Sequence, residues 1–548
     1  MAMGIAFLFD KFTEFQSRRS PVLALNGMVA SSQPLASQAG LAILKQGGNA
    51  ADAAVATAAA LNVTEPMSTG IGGDCFALFF DAHSKLVKGV NGSGRAPAGL
   101  TIDVVREAGI KFGSIPSHSP HAVTVPGAVS GWIDTIERFG RLTLPEVLAP
   151  AIQLAEDGYP VGPLTAFAWA TTAGKLKKKY HGADLLPGGR APDPGQVVRN
   201  PLLAAVFREV AEHGKVGFYE GRVADAIVSV LHTAGGVLTI DDLAQHASTF
   251  EDPISTNYRG VEVYEMPPNG QGITALLALN LLEEFNVSAL APLSPEYNHL
   301  LIECLRLAFA DARRYVADPT TTPVPVDELL SKAYAAERRQ LIDLNRATLD
   351  QPAGRITAGS DTVYLSVVDG EGNACSFINS NYEAFGTGIV PDGCGFVLQN
   401  RGSNFSLDPD HPNALAPRKR PYHTIIPAMA TQGGDLYACF GVMGGFMQPQ
   451  GHVQVLSKMV DLEYDPQAAL DAPRFCLLNG HPSGNVAVED GIPRATVDAL
   501  ANMGHEIQVT SGVARAIFGQ GQIIRRDPES GVLWGGADPR GDGCALGF

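Results

Sequence analysis

The chain has 548 residues, of which 45% are hydrophobic and 18% charged, and its formal net charge is −16. This composition is typical of a globular protein with ample apolar material for a large core. The acidic balance argues against nucleic acid and anionic membranes as partners, because both are bound through basic patches. No run approaches the ~20 apolar residues that a membrane-spanning helix needs, so we expect no membrane partner.

Seven cysteines are scattered along the chain without a CxxC pair, so neither a zinc site nor a redox dithiol is indicated. Scattered thiols fit a reducing compartment. The apolar run at residues 5–9 is too short for the core of a signal peptide. We therefore expect a cytoplasmic protein, and nothing in the sequence calls for a metal or an organic cofactor.

The first elements follow an irregular leader, predicted over residues 1–26. The apolar spacing predicts a helix over 37–46 that ends at Gly47 and Gly48, and then an Ala-rich helix over 50–61 capped by Asn49. Because Ala-rich helices pack closely, we expect the second helix to be buried. The GIGGD turn at 70–74 precedes a predicted strand over 75–80, and it lacks the GxGxxG and GKS/T patterns of phosphate-binding loops.

The character of the chain changes near residue 360. Helical patterns dominate 100–350, with examples over 144–158, 204–213, 224–233, 274–285 and 295–316, and a Pro-rich surface loop over 187–195. Short apolar runs then alternate with Gly-rich turns and predict strands over 363–368, 374–378, 395–398 and 436–442. A helix-rich part and a strand-rich final third therefore join at the GSDT sequence, 359–362.

Thr362 begins a predicted strand directly after a polar, Gly-containing linker. A hydroxyl is a weak nucleophile unless a base lies beside it. Cleavage of the chain before Thr362 would give this residue a free α-amine, whose reference pKa of about 7.7–8.0 suits proton abstraction near neutral pH. The alternative is an ordinary threonine at the start of a strand.

Several motifs along the chain occur in one recognisable order. They are MVAS at 28–31, GGNAADAA at 47–54, GIGGD at 70–74, VPG at 125–127, DTVYLSVVD at 361–369, FGTGI at 385–389, RP at 420–421 and GG at 444–445. In this order and approximate spacing the chain resembles the γ-glutamyltranspeptidase family from about residue 27 to its C-terminus.

The resemblance implies an α+β fold of the N-terminal-nucleophile hydrolase class, an αββα sandwich with two stacked, mainly antiparallel sheets. It also implies self-cleavage between Asp361 and Thr362, which would give a large, helix-rich subunit (27–361) and a small, strand-rich subunit (362–548). These two subunits would be partners of each other, and further oligomerisation is left open.

The resemblance also assigns catalytic roles. Thr362 would be the nucleophile in self-cleavage and in attack on the substrate, and Ser380 would assist it. Gly444 and Gly445 would present backbone N–H groups to the oxyanion, where glycine allows close approach of the backbone. An ordinary strand serine is the alternative for Ser380.

The substrate pocket of the family is altered in this chain. The carboxylate-binding Arg of well-known members corresponds to Ser93, with Arg95 two residues later. Their Gln, Asp, paired Ser residues and Asn correspond to Arg401, Asn404, His423, Thr424 and Tyr382. Loss of the Asp removes the partner of a substrate ammonium, whereas the gain of Arg401 and His423 favours a carboxylate or another acceptor-rich group. The alternative for each position is a structural role, and for His423 a satisfied core histidine.

These substitutions resemble a divergent branch with oxamate amidohydrolases and class IV cephalosporin acylases. We therefore expect an amidohydrolase of a small γ-glutamyl-type amide, similar to glutathione hydrolases and γ-glutamyltransferases. One alternative is hydrolysis of a dicarboxylic monoamide without an α-amino group, such as oxamate or a glutaryl amide, and another is a non-catalytic binding protein. The predicted substrate contacts are Arg95, Tyr382, Arg401, Asn404, His423 and Thr424.

Overall fold

The computed structural model describes residues 19–111, 113–177, 180–349 and 361–548, and two seven-stranded sheets form its centre. In spatial order the first sheet contains β1 (Val22–Ala24), β18 (Leu533–Ala537), β17 (Gln520–Arg526), β13 (Asp435–Met443), β12 (Ala428–Gln432), β9 (Val261–Glu265) and β8 (Ile254–Tyr258). The second contains β19 (Cys544–Gly547), β2 (Met28–Ser31), β10 (Asp361–Val368), β11 (Ala374–Tyr382), β3 (Asp74–Asp81), β4 (Leu86–Gly92) and β7 (Thr249–Glu251). Neighbouring strands in both sheets are antiparallel.

The remaining strands of the described ranges form two small sheets. They contain β14 (Phe475–Leu477), β15 (Val486–Glu489) and β16 (Ile507–Thr510), and β5 (Tyr159–Pro160) and β6 (Val197–Val198). The α-helices are Pro34–Lys45, Ala50–Thr64, Ile102–Glu107, Ala128–Phe139, Leu144–Asp157, Pro163–Thr172, Gly174–Lys177, Pro201–His213, Val216–Tyr219, Gly221–Thr233, Ile240–Ala244, Gly272–Glu283, Pro295–Tyr315, Val326–Leu329, Lys332–Arg339, Met447–Asp461, Pro466–Asp471 and Arg494–Asn502. No helix within the described ranges has the length and apolarity needed to cross a bilayer.

The sheets stack face to face between two helical layers. The helix Ala50–Thr64 packs on β10 and β11, and the helix Met447–Asp461 packs on β13 of the other sheet. Along β10, Val363, Leu365 and Val367 belong to the core on the helix side, whereas Tyr364 belongs to the core between the sheets. Both faces of the strand are therefore buried, which explains its almost continuous apolar sequence.

The Ala-rich helix confirms the prediction made for it. Asn49 is its N-cap and Asp52 completes the capping box, so the side chain of each accepts a hydrogen bond from the backbone of the other. Every residue of Ala50–Thr64 is buried. The turn at 70–74, the strand after it and the predicted helices between 144 and 316 are also present, with ends that differ by a few residues.

Two predictions from the sequence need correction. Residues 22–24 of the predicted leader form β1, which pairs with β18, while residues 1–18 lie outside the described residues, as do 359–360 of the predicted join. Residues 395–398 form no strand. The residues of the predicted large and small subunits each contribute strands to both sheets, and the division into two subunits stays a prediction. Pairing of these strands would hold the two parts together after cleavage.

Candidate functional site

Thr362 of β10 lies opposite a bulge in β11, in the interior of the second sheet. Asp361 pairs with Tyr382 of β11, but Val363 pairs with Asn379, so the register shifts at Thr362. A bulge of this kind re-aims a side chain. Thr362 is fully buried, and its Oγ1 lies 3.0 Å from Oγ of Ser380, within hydrogen-bond distance.

Arg401 connects the hydroxyl pair to the rest of the site. Its Nη2 donates to Oγ of Ser380 at 3.3 Å, and its Nη1 donates to Oγ1 of Thr424 at 2.6 Å. Its Nε has no partner among the described residues. Burial lowers the pKa of Arg401 to about 10, with Asp74 opposing the shift, so the guanidinium stays charged at neutral pH.

Tyr382 and Asn404 form one wall beside this guanidinium. The carbon Cζ of Arg401 lies 4.3 Å from the centre of the Tyr382 ring, a cation–π distance. The hydroxyl of Tyr382 donates to Oδ1 of Asn404 at 2.7 Å, and Nδ2 of Asn404 donates to the carbonyl oxygen of Tyr422 at 3.1 Å. Both polar atoms of the Asn404 side chain are therefore engaged within the protein.

Gly444 and Gly445 follow β13 and precede the helix Met447–Asp461. Their φ values are +128° and +60°, a region that favours glycine, and a Cβ on Gly444 would lie 3.1 Å from Cα of Gly519. Within the described chain neither glycine N–H has a hydrogen-bond acceptor. Two backbone donors at a helix N-terminus can stabilise an oxyanion.

Gln271 joins these glycines to the hydroxyl pair. Its Nε2 donates to the carbonyl oxygens of Thr424, at 2.7 Å, and Gly445, at 2.8 Å. Because Thr424 also receives a hydrogen bond from Arg401, a continuous polar network runs from Thr362 to Gly445. Sequence reasoning missed Gln271, whose only local signal is a polar residue after the PPNG turn at 267–270.

His423 lies behind this network and is held by two hydrogen bonds. Its Nδ1 accepts from the backbone N–H of Ile425 at 3.3 Å, so the proton is on Nε2, which lies 3.1 Å from Oδ2 of Asp74. Burial and the nearby Arg401 and Arg420 hold the pKa of His423 well below its usual value. The structure thus places a neutral histidine with both ring nitrogens hydrogen-bonded here, as in the structural alternative considered from the sequence, and the role of His423 as a substrate contact stays a prediction.

Asp74, the last residue of the GIGGD turn, is the acceptor for several donors. The backbone N–H groups of Gly94 and Gly127 and the side chain of Gln399 donate to it, at 3.0, 3.3 and 3.1 Å. Burial raises the pKa of Asp74 to about 6, against the opposing effects of Arg401 and the backbone donors. At neutral pH it is therefore an ionised carboxylate that orients His423.

Arg95 is separate from the hydrogen-bond network around Thr362. Its Nη1 donates to Oδ2 of Asp318 and to the carbonyl oxygen of Arg418, both at 3.2 Å. Its side chain is 32% exposed, whereas that of Asp318 is almost fully buried. The described contacts assign Arg95 to an ion pair, and its role as a substrate contact stays a prediction.

One group of described residues has the side-chain types of a metal site: His299, Glu303 and His505, whose ligand atoms lie within 4.8 Å of one another. The guanidinium of Arg306 lies 3.4 Å from Glu303 and 3.5 Å from Nδ1 of His505. Nε2 of His505 contacts Nδ1 of His299, and Nε2 of His299 contacts the carbonyl oxygen of Asp343, both at 2.8 Å. This hydrogen-bond chain accounts for the ring nitrogens, and the adjacent arginine disfavours a metal cation.

The gamma-glutamyltranspeptidase family model matches residues 36–548. The chain belongs to the γ-glutamyltranspeptidase family. Within this family it is 41% identical to the glutathione hydrolase-like YwrD proenzyme of Bacillus subtilis (strain 168) over 531 residues, 96% of this chain and 99% of the relative. It is 34% identical to the oxamate amidohydrolase proenzyme of Klebsiella pneumoniae over 538 residues, 96% of this chain and 99% of the relative.

A solved structure also shares the fold. The crystal structure of cephalosporin acylase from Bacillus halodurans superimposes with a TM-score of 0.91 at 46% sequence identity, covering 98% of each chain. The resemblance found in the sequence is thus confirmed, as is the α+β fold of the N-terminal-nucleophile class. As a γ-glutamyltranspeptidase-family protein, the chain is an amidohydrolase or acyltransferase.

Proposed function

We propose that this protein is a self-processing amidohydrolase in which Thr362 is the nucleophile and the substrate is an amide with a carboxylate on its acyl group. The supporting observation is the 3.0 Å contact between the hydroxyls of Thr362 and Ser380, with the charged Arg401 bound to the second of them. A nucleophile, an assisting hydroxyl and a cation for an anionic group then lie within one buried network. Seven free cysteines support a reducing, cytoplasmic location.

Processing would begin with attack of Oγ1 of Thr362 on the carbonyl carbon of Asp361. The peptide C–N bond breaks, the nitrogen takes the hydroxyl proton, and an ester joins the two residues. Water then hydrolyses the ester, which leaves a carboxylate on Asp361 and a free α-amine beside the hydroxyl of Thr362. This amine is the base that the hydroxyl needs.

The mature enzyme would repeat the attack on its substrate. The α-amine takes the proton from Oγ1 while the oxygen bonds to the amide carbon, and the N–H groups of Gly444 and Gly445 receive the oxyanion. Each such donor is worth about 10²–10³-fold in rate. The leaving amine takes the proton, and water hydrolyses the acyl ester on Thr362. Transfer to another amine would use the same intermediate.

Arg401 would hold the carboxylate of the acyl group. Its Nε has no partner in the described structure, and a buried cation gains most from an anionic partner. A γ-glutamyl group supplies such a carboxylate, which agrees with the expected γ-glutamyl-type amide. Charge-assisted hydrogen bonds of this kind contribute about 1.5–3 kcal/mol each.

A second candidate is an amide of the same length without the α-ammonium, such as a glutaryl amide. The observation that favours it is the state of Asn404, whose Oδ1 and Nδ2 are both engaged by neighbouring tyrosines. An ammonium there would meet a neutral amide, and Arg401, which lies against the ring of Tyr382, would repel it. Unpaired buried charges are costly, so the group without an ammonium fits more readily.

Gel electrophoresis and N-terminal sequencing test the processing step. The purified wild type should give two fragments, 1–361 and 362–548, the second beginning Thr-Val-Tyr-Leu, while Thr362→Ala should remain one band. A wild type that hydrolyses amides as a single intact chain would overturn the proposal. A single band without any activity would support the binding-protein alternative.

Paired anilides test the substrate class on the processed enzyme. We expect turnover of both γ-glutamyl and glutaryl 4-nitroanilide, with a higher kcat/KM for the glutaryl compound. Asn404→Asp restores a carboxylate for the ammonium and should shift the ratio toward γ-glutamyl by about 10-fold. If glutaryl anilide is not hydrolysed at all, the argument from Asn404 is wrong, and the γ-glutamyl assignment stands alone.

A further inference from the structure

Arg313 places a second cation beside the candidate site. It lies near the end of the helix Pro295–Tyr315, where its Nε donates to the carbonyl oxygen of Gly480 at 2.9 Å and its Nη2 to that of Asn479. Its Cζ lies 5.3 Å from the centre of the Phe446 ring. The two carbonyls fix the plane of the guanidinium and leave Nη1 without a partner among the described residues.

This guanidinium has no acidic partner in the described part of the chain. The ionisable groups that act on it are the hydroxyls of Tyr382 and Tyr422, whereas burial lowers its pKa. Arg313 is half-buried, so one edge is accessible to a ligand. A desolvated cation held by neutral carbonyls, with a free N–H edge, is arranged to receive an anion.

The location of Arg313 relates it to the reaction. Phe446 directly follows Gly445, the candidate oxyanion donor, and its ring lies 6.1 Å from that of Tyr422. The carbonyl of Tyr422 accepts from Asn404, which in turn accepts from Tyr382. One aromatic wall therefore extends from Arg401 to Arg313, with the two cations at different points along it.

We propose that Arg313 determines specificity by binding a carboxylate on the amine half of the substrate. This inference rests on the proposed function, in which Arg401 receives the acyl carboxylate beside the nucleophile. A second anionic group then has to come from the other side of the scissile bond. The preferred substrate is thus an amide with a carboxylate on each half, such as an N-acylated amino acid or aminobenzoate.

The test compares two glutaryl anilides that differ only in the leaving group. One releases 4-nitroaniline and the other 3-carboxy-4-nitroaniline, so the second adds a carboxylate on the amine half. Butyryl forms of both anilides lack the acyl carboxylate. They therefore show how much of the KM depends on the contact of that carboxylate with Arg401. Wild type should prefer the carboxylated leaving group, through a lower KM.

The variants are Arg313→Met, Arg313→Lys and the matched control Arg314→Met. Arg314 is the exposed neighbour on the same helix, and its guanidinium lies 5.4 Å from the centre of the Tyr315 ring. Arg313→Met should raise KM for the carboxylated anilide about 10-fold or more, with kcat and the uncharged anilide changed less than about twofold. Arg313→Lys should retain part of the preference, and Arg314→Met all of it.

Equal losses on both anilides would show that Arg313 is structural, and no loss on either would show that it binds no substrate group; both outcomes overturn the inference. If wild type hydrolyses neither these glutaryl anilides nor their γ-glutamyl counterparts, the proposed function fails instead. Should Arg313→Met not fold, wild type still decides the question through product inhibition. The carboxylated aniline should inhibit at least about 10-fold more tightly than 4-nitroaniline, and equal inhibition would contradict the proposal.

Discussion

The guanidinium carbon of Arg401 lies 4.3 Å from the centre of the Tyr382 ring, and the same guanidinium contacts the hydroxyl of Ser380. The ring covers one face of the cation, while Ser380 and Thr424 accept from its edge. This places a fixed positive charge close to Thr362, whose hydroxyl contacts Ser380. Such a charge can attract a substrate carboxylate and can also disfavour protonation of an α-amine on Thr362.

Replacing Arg401 with Gln should therefore change the pH profile of the processed enzyme. The acid limb of kcat/KM reports the pKa of the base in the free enzyme. Loss of the neighbouring cation raises the pKa of the α-amine, so the limb should move to higher pH by roughly one unit. Tyr382→Phe keeps both the ring and the cation, and its limb should not move. An unchanged limb in Arg401→Gln would show that the guanidinium does not act on the base.

Replacing Ser380 with Ala should slow self-cleavage by about 10²-fold, at the lower end of the range for proton-transfer assistance. Its Oγ is the side-chain group that contacts Oγ1 of Thr362, and Ser380→Thr should recover part of the rate because it keeps a hydroxyl. Ser376→Ala is the control, a buried serine on β11 that contacts Tyr364 instead. A time course on gels measures the rate, and equal slowing in both Ala variants would indicate a general loss of packing.

The sequence predicted those parts of the fold and site that depend on neighbouring residues or on ordered motifs. Asn49 and Asp52 are three positions apart, so their capping box is visible as a local pattern. The linker and the motifs around Thr362 single it out as the candidate nucleophile, a role that stays a prediction. The pairing of residues 22–24 with β18 joins segments more than 500 residues apart, and no local pattern encodes it.

Burial without strand pairing explains the wrong prediction at 395–398. The run is apolar because Phe396, Val397 and Leu398 pack in the core. Gly395 has a φ of +67°, so the backbone leaves the extended conformation at this point. Glycine is required there, because a Cβ would lie 2.4 Å from Oδ1 of Asn200. The neutral state of His423 could not be assigned from its residue type either, because it depends on burial in the folded chain and on Arg401 and Arg420.

Gln271→Leu should lower kcat about 10- to 100-fold with little change in KM. The substitution removes donors from the buried carbonyls of Thr424 and Gly445, at a cost of about 1–3 kcal/mol for each unpaired group. The segment that carries the candidate oxyanion donors would then lose its support. Tyr422→Phe removes the hydroxyl that donates to Oε1 of Gln271 but keeps both contacts of Nε2 with the carbonyls, so it should be milder. A kcat for Gln271→Leu within twofold of wild type would exclude this supporting role.

The buried pair of Asp74 and His423 should give two variants opposite dependences of stability on pH. Burial raises the pKa of Asp74 from 3.8 to about 6, and burial with Arg401 and Arg420 lowers that of His423 below 6.5. Between pH 4 and 6 the folded pair holds one proton on Asp74, and the unfolded chain holds one on His423, so wild type should show little slope from this pair. In His423→Gln the folded state alone binds a proton, so stability should fall by about 2 kcal/mol from pH 4 to 6. In Asp74→Asn the unfolded state alone binds a proton, so stability should rise with pH up to about 6.5.

Denaturant unfolding of both variants, made in the single-chain Thr362→Ala background, measures how the free energy of unfolding depends on pH. Slopes of the same sign would show that the proton does not move from His423 in the unfolded chain to Asp74 in the folded one.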